Sequence, residues 1–375
     1  MPITRDGEQL LRSIEQGRPP PPRLAAQSLF GMDTLLETWR QDLDDYVSKG
    51  GSLVRIVSAP VGSGKTHLGL ALKAMAAERG FLVCQVDVQA QSTANDDLAL
   101  YQAFCSGLQT PAAFFGDQPG NAGLRGIVDD IVSRFDRDSV RIGLRNARLP
   151  VPTVGEVLLD LIGVVRDTDC TGNHAVSTAF ALLSGVKVNV PLADLKRKYP
   201  GQLKHFGKRP TGRNARLWQE SMMVALRSLG FPGVVMVVDE HDQNSKAKLD
   251  ASVVQLRREM DRLAEGQLPG AFVLYLTLDD FATRLQDHEA VRQRVEPILG
   301  ESTPAQLSIR LESVRDSQGR AFLMHAGERL YRLITGEAMP PEFATRLAAL
   351  AARHVRIQGC ATRDFVKELA QAIDD

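Results

Sequence analysis

The residues most able to do chemistry in this 375-residue chain run Ala-Pro-Val-Gly-Ser-Gly-Lys-Thr from Ala59 to Thr66. They fit the phosphate-cradling spacing G-x-x-x-x-G-K-[ST], with Ala59 in place of the first glycine. That position tightens the turn, so the change leaves the chemistry intact. Gly62 and Gly64 let backbone N–H groups approach phosphate oxygens, and the N-terminus of the following helix adds a favourable dipole. Lys65 would reach the β- and γ-phosphate oxygens, and the Thr66 hydroxyl would enter the Mg²⁺ shell. The binding stretch expected is therefore Ala59, Pro60, Val61, Gly62, Ser63, Gly64, Lys65, Thr66 and His67, and its ligand a nucleoside triphosphate.

A second acidic element supports this. The apolar run Val234-Val235-Met236-Val237-Val238 ends in Asp239 and Glu240. Asp239, at the end of a buried strand, is placed to hold the Mg²⁺ water shell. Glu240 is placed to orient and deprotonate an attacking water. On its own the pair reads equally as a solvated strand end; beside the phosphate loop it favours hydrolysis over binding alone. No N-K-x-D guanine reader is present, which points to ATP. His241 and Asp242 invite a metal or triad reading, but no further histidines stand at ligand spacing.

The elements that must position these residues follow from periodicity. Arg55-Ile56-Val57-Ser58 forms a strand entering the loop, and the helix after it continues to about Arg79, with Gly80 as its stop. Phe81 to Val88 is a second core strand, Gly233 to Glu240 a third and Ala271 to Thr277 a fourth. Strand–helix–strand order implies a parallel sheet with right-handed crossover. Between the second and third strands the pattern is mostly helical, clearest at Leu98–Phe104 and Val157–Ile162, with a glycine-rich loop from Gly116 to Gly126. The N-terminal residues 7–17 form a short helix that leads into the stiff tract Pro19-Pro20-Pro21-Pro22. From about Gln318 the tail is helical throughout.

Composition sets the limits. Lys plus Arg and Asp plus Glu both number 45, so no global field pulls the chain to nucleic acid or membrane. Cys84, Cys105, Cys170 and Cys360 form no C-x-x-C pair, which leaves no zinc or disulfide framework. No run is long enough to span a bilayer and no apolar signal core opens the chain, so the cytoplasm is the expected compartment. Any polyanion contact must be local. The stretch from Lys196 to Arg216 holds Lys196, Arg197, Lys198, Lys204, Lys208, Arg209, Arg213 and Arg216 and no acidic residue. It is a candidate for non-specific DNA-backbone contact, for a solvated loop, or for docking an acidic partner.

Together these features resemble a known family. Leu10-Leu11-Arg12-Ser13-Ile14-Glu15-Gln16-Gly17 leads to the proline tract, the Phe30-Gly31 helix and Ser58 to Thr66. Val238-Asp239-Glu240 and Thr362-Arg363-Asp364-Phe365 complete the set. The chain resembles the ATP-binding proteins of bacterial BREX-type phage-defence systems (the BrxD group), which are AAA+-like ATPases akin in architecture to STAND ATPases. The likeness is poor between about residues 110 and 215. It implies an α/β fold: a P-loop NTPase (AAA+-like) with a parallel sheet core, a helical insertion at about 105–215 and a C-terminal helical lid. The implied division is an N-terminal helix and Pro-rich connector over 1–28, an ATPase core over 29–317 and the lid over 318–375.

The resemblance also implies roles. The Phe30-Gly31 region would lie near the adenine, unless its helix is a plain packing helix. Thr277 would be a strand-end sensor of the γ-phosphate, or a threonine bonding its own backbone. Arg292 or Arg294 would act in trans as an arginine finger, unless both sit on a solvated helix face. Arg363 would be a second sensor at the start of the last helix. Cofactors would be ATP and Mg²⁺, and partners a second copy or other defence proteins. The activity would be an ATP hydrolase acting on or recruited to DNA. The alternative is a slow ATP-gated assembly switch working through partner proteins, and a small-molecule kinase is a distant third.

Overall fold

The computed structural model describes residues 3–87, 96–116, 122–167, 174–187, 193–194, 197, 205, 209–239, 256–278, 307–311, 319–355 and 362–374. In chain order the elements are α1 (Arg5–Glu15), α2 (Pro22–Ala25), α3 (Asp33–Asp42), β1 (Leu53–Ser58), α4 (Lys65–Glu78) and β2 (Leu82–Asp87). Then come α5 (Asp97–Gly107), β3 (Leu108–Gln109), α6 (Pro111–Phe115), α7 (Gly123–Arg134), α8 (Arg137–Asn146), α9 (Pro152–Asp167) and α10 (His174–Leu183). The rest are α11 (Ala215–Ser228), β4 (Val234–Asp239), β5 (Ala271–Thr277), β6 (Ser308–Arg310), α12 (Gly319–Thr335), α13 (Pro341–His354) and α14 (Thr362–Asp374).

The strands form one six-stranded sheet in the order β3-β2-β4-β5-β1-β6. β1 runs parallel to β6 and β2 parallel to β4, while the short β3 is antiparallel to β2. The Gly270 carbonyl accepts from Val234 N–H at one end of β5, and the Thr277 carbonyl accepts from Ala59 N–H at the other. That pattern sets β5 parallel to both neighbours. β4 is apolar and buried from Val234 to Val238, as a central strand covered on both faces requires. The sheet is thus mixed α/β and mostly parallel, as expected.

Two compact units divide the chain. The first comprises Met1–Asp42, Arg55–Met75 and Leu274–Asp375. Within it, α1 packs on α12 and α14, and Leu10, Leu11 and Leu24 share one apolar cluster with Phe322, Tyr331 and Phe365. The sequence assigned the N-terminal helix and the C-terminal helices to separate segments; packing joins them, because the two leucines of α1 have their cover on α12 and α14. Thr4 fixes the junction. Its Oγ1 accepts from Gly7 N–H (2.9 Å) as a helix cap and donates to the Ile334 carbonyl (3.1 Å), and its own N–H donates to the same carbonyl (2.9 Å).

The second unit comprises Leu43–Val54 and Ala76–Val273. α5 lies on β2, and α7, α8 and α11 pack on α9. Trp218 and Met222 of α11 are fully covered. Arg216, at the start of α11, pairs with Asp97 of α5 at 2.9 Å.

Gly7 is where α1 crosses the end of α12: a Cβ there would lie 2.1 Å from the Ile334 carbonyl oxygen. Alanine is the better helix former by about 1 kcal/mol, but a backbone atom cannot swing aside. Gly7→Ala should therefore destabilise the protein, by about 2 kcal/mol in urea denaturation. A stability equal to or above wild type would show that α1 does not seat on α12 as described.

Candidate functional site

β1 is buried from Val54 to Ser58 and stops abruptly. The loop after it turns through left-handed residues at Gly62 (φ +81°) and Gly64 (φ +101°) before α4 begins at Lys65. A Cβ at either glycine would meet no atom within 4 Å. The glycines are thus required by backbone conformation, and the space over the loop is open. A left-handed turn feeding a helix start aims successive N–H groups outward, the geometry that takes an anion.

Lys65 lies across this loop. Its Nζ donates to the carbonyl oxygens of Ala59 (2.6 Å) and Pro60 (3.0 Å). These bonds hold the ammonium at the loop, where it can also face a phosphate. Thr66 is exposed. Ser58 Oγ, at the strand end, is buried with no hydrogen-bond partner among the described residues. An orphaned hydroxyl beside an open, N–H-lined loop fits a site for a hydrated polar ligand.

Thr277 is fully buried at the end of β5; its Oγ1 points at the Val57 carbonyl (3.4 Å) and its own carbonyl takes Ala59 N–H (3.2 Å). The residue named from sequence as a sensor therefore sits against the entry to the loop. Arg55, buried on β1, is held by Asp42 at 2.8 Å, and burial lowers its affinity for the proton.

His67 turns away from the loop mouth. Its Nε2 lies 2.8 Å from the Ala25 carbonyl and 3.1 Å from Ser28 Oγ. Its ring pins the segment between α2 and α3. The other end of that segment is gripped by Arg329 of α12. The guanidinium donates to both Asp33 carboxylate oxygens (3.1 and 3.0 Å) and to the Gln27 carbonyl (3.2 Å), and lies 5.6 Å from the centre of the Phe30 ring. Gly31, at φ +65°, turns the chain close to the Phe322 ring. Residues 25–33 form a strap tied to the phosphate-loop helix at one end and to the helical bundle at the other. Sequence reasoning singled out Phe30 and Gly31 but missed Arg329, whose only signal was a basic residue in an amphipathic helix.

Arg363, the second sensor expected from sequence, is exposed, with its Nη2 beside Gly17 at the end of α1. In the second unit, Asp239 ends β4 half-buried, and the β2–β4 register sets it opposite Asp87. Glu240, Arg292 and Arg294 lie outside the described residues, as do Lys196, Lys198, Lys204 and Lys208. Of the rest of the basic stretch, Arg197 pairs with Asp194, and Arg216 is committed to Asp97. Arg209 and Arg213 are exposed. No cluster of three or more potential metal ligands is present among the described residues, and none of their helices is long and apolar enough to cross a membrane.

With this geometry in place, comparison with known proteins gives a family likeness over part of the chain. Residues 3–152 match the family described as BREX system ATP-binding protein BrxC/D. The matched stretch holds α1, the strap and the phosphate loop; Asp239 and all that follows lie outside it. The expected likeness to BREX ATP-binding proteins is borne out over that stretch. No curated protein and no solved structure matches the chain significantly.

The strap gives a pH signature. Burial pulls the His67 imidazole from 6.5 to about 4, outweighing the opposite pull of its bond to Ala25. The folded state thus refuses a proton that the unfolded chain accepts. Stability from this group is complete above about 6.5 and is lost as pH falls towards 4, by about 1–3 kcal/mol. His67→Gln keeps a donor for Ala25 and removes the titration. Urea denaturation from pH 7 to pH 4 should show wild type losing more stability than this variant; parallel curves would exclude a neutral, strap-pinning imidazole.

Proposed function

We propose that this chain binds and hydrolyses ATP as an AAA+-like P-loop ATPase, in a phage-defence assembly that acts on or is recruited to DNA. The observation that carries the reading is the β1–loop–α4 unit, with its two left-handed glycines and Lys65 held across the loop. Further support comes from the sheet order, in which β5 separates the phosphate-loop strand from the strand ending in Asp239. The helical bundle that follows the core is in keeping with a lid.

In this reading the loop N–H groups and Lys65 bind the phosphates, drawing charge off the γ-phosphoryl as the bond to the leaving oxygen lengthens. The Thr66 hydroxyl and the Asp239 carboxylate would hold Mg²⁺, which would supply neutralisation of phosphate charge. Glu240 accepts the proton of the attacking water. Thr277 orients the end of the loop through Val57 and Ala59. Arg292 or Arg294 of one copy would stabilise charge at a neighbour's site, which makes turnover depend on assembly. Arg363 would report nucleotide state from the last helix. A cytoplasmic setting goes with this role.

A second reading has an observation of its own. The strap links the phosphate-loop helix to the bundle through His67 and Arg329, which suits a slow switch that signals its nucleotide state to partner proteins. Steady-state ATP hydrolysis with and without duplex DNA separates the two. Wild type should turn over with Mg²⁺, Lys65→Ala should lose binding, and Glu240→Gln should bind ATP yet turn over about 10²-fold or more slowly. Stimulation by DNA supports the first reading. Slow turnover indifferent to DNA would leave the switch, and turnover undiminished in Glu240→Gln would remove Glu240 from its role.

A further inference from the structure

Helix α8 buries Val140 and Leu144 and leaves Arg137, Arg141 and Arg145 exposed, Arg137 with its Nη2 near Gly163 of α9. Four-residue spacing sets these side chains on successive turns of one face, about 6 Å apart along the axis. Arg148, just past the helix end, is exposed as well. Arg137, Arg145 and Arg148 make no hydrogen bond or ion pair with any described residue. Arg141 has Asp138 at 2.8 Å, with side chains 50% and 75% exposed, a pair that water and salt easily loosen.

Some other arginines of this unit are committed, though Arg209, Arg213 and Arg258 are exposed as well. Arg134 lies over the rings of Phe135 and Phe231 and bonds Asp130, and Arg216 is paired with Asp97. Asp136, at the start of α8, has its carboxylate turned onto Ser139 N–H (2.8 Å) as a cap. From residue 139 to residue 155 the sequence has no acidic residue. The row is therefore a set of exposed arginines at four-residue spacing, with one loose partner in Asp138, on a helix fixed from behind.

Its chemistry narrows the partner. Guanidinium groups suit phosphate oxygens, and a regular row suits a polyanion with a regular repeat. Residues 136–155 include no aromatic side chain to stack on an unpaired base, so a single strand gains nothing here. Ile142 is the one large apolar side chain exposed on α8, too little for a lipid surface. We propose that α8 is a contact surface for the sugar–phosphate backbone of duplex DNA, independent of sequence, through Arg137, Arg141 and Arg145 with Arg148 at its end. This deepens the DNA-coupled reading above, but the contact needs neither nucleotide nor the 196–216 stretch.

The test is fluorescence anisotropy of a labelled duplex, without nucleotide, over a range of salt concentrations. Wild type should bind with log Kd rising linearly with log salt. Replacing Arg137, Arg141 and Arg145 together by alanine should weaken binding tenfold or more and lower the salt slope by about 2.7, at about 0.9 for each phosphate left without its guanidinium. The triple lysine replacement keeps the charge and should bind within a few-fold of wild type, which separates an effect of charge from an effect of misfolding. DNA-free ATP turnover of the alanine variant should equal that of wild type. Unchanged affinity and slope in the alanine variant, or no salt-dependent binding by wild type, would overturn the proposal. Absence of ATP turnover in wild type would instead sink the ATPase reading and leave this one standing.

Discussion

Between Ser58 and Lys65 a buried strand must become a helix, and the backbone can make that turn only by passing through left-handed conformations at Gly62 and Gly64. Side chains at these positions would be strained even though space is open around them, so the constraint lies in the backbone itself. Once the turn is made, other features follow. The helix start presents N–H groups to the open side. Lys65 can fold over the loop onto the Ala59 and Pro60 carbonyls. The loop entry is fixed from below by Thr277, whose carbonyl and hydroxyl both engage the β1 end.

In the first unit the strap between α2 and α3 links the helix after the loop to the bundle. It bonds to the phosphate-loop helix through an imidazole that burial keeps neutral, and to the bundle through an arginine that holds a carboxylate, a carbonyl and a ring face. A charged clasp at one end and a neutral one at the other differ in what disturbs them: salt weakens the exposed Arg329–Asp33 pair, and acid forces a charge onto a His67 ring that burial keeps neutral. Because α1 packs within the bundle, the two ends of the sequence act as one body in this unit.

How much of this was legible in the sequence depended on how local each feature is. The phosphate loop is a contiguous motif whose meaning survives without tertiary context, and the apolar run ending at Asp239 declares a buried strand. The likeness to BREX ATP-binding proteins rested on the same local runs and holds over residues 3–152. The strap was opaque, because Arg329 and Asp33 are 296 residues apart and neither is unusual where it stands. Arg363 opens the last helix as expected, yet what places its side chain beside Gly17 is the docking of α1, which no local pattern reports. The basic stretch misled in part: charge counting could not see that Arg216 would be taken up by Asp97, more than a hundred positions earlier. The four-residue arginine repeat of α8 was written in the sequence, but only burial of Val140 and Leu144 says which way it faces.

The central claim is that the loop from Ala59 to Thr66 binds ATP through its backbone and Lys65. Thermal unfolding with and without Mg²⁺-ATP tests it most directly, since a ligand that binds only the folded state stabilises it by about 2.7 kcal/mol at a hundredfold excess over Kd. The account predicts a midpoint raised by several degrees in wild type and little or no rise in Lys65→Ala at the same ATP concentration. No rise in wild type, or an equal rise in both proteins, would contradict it.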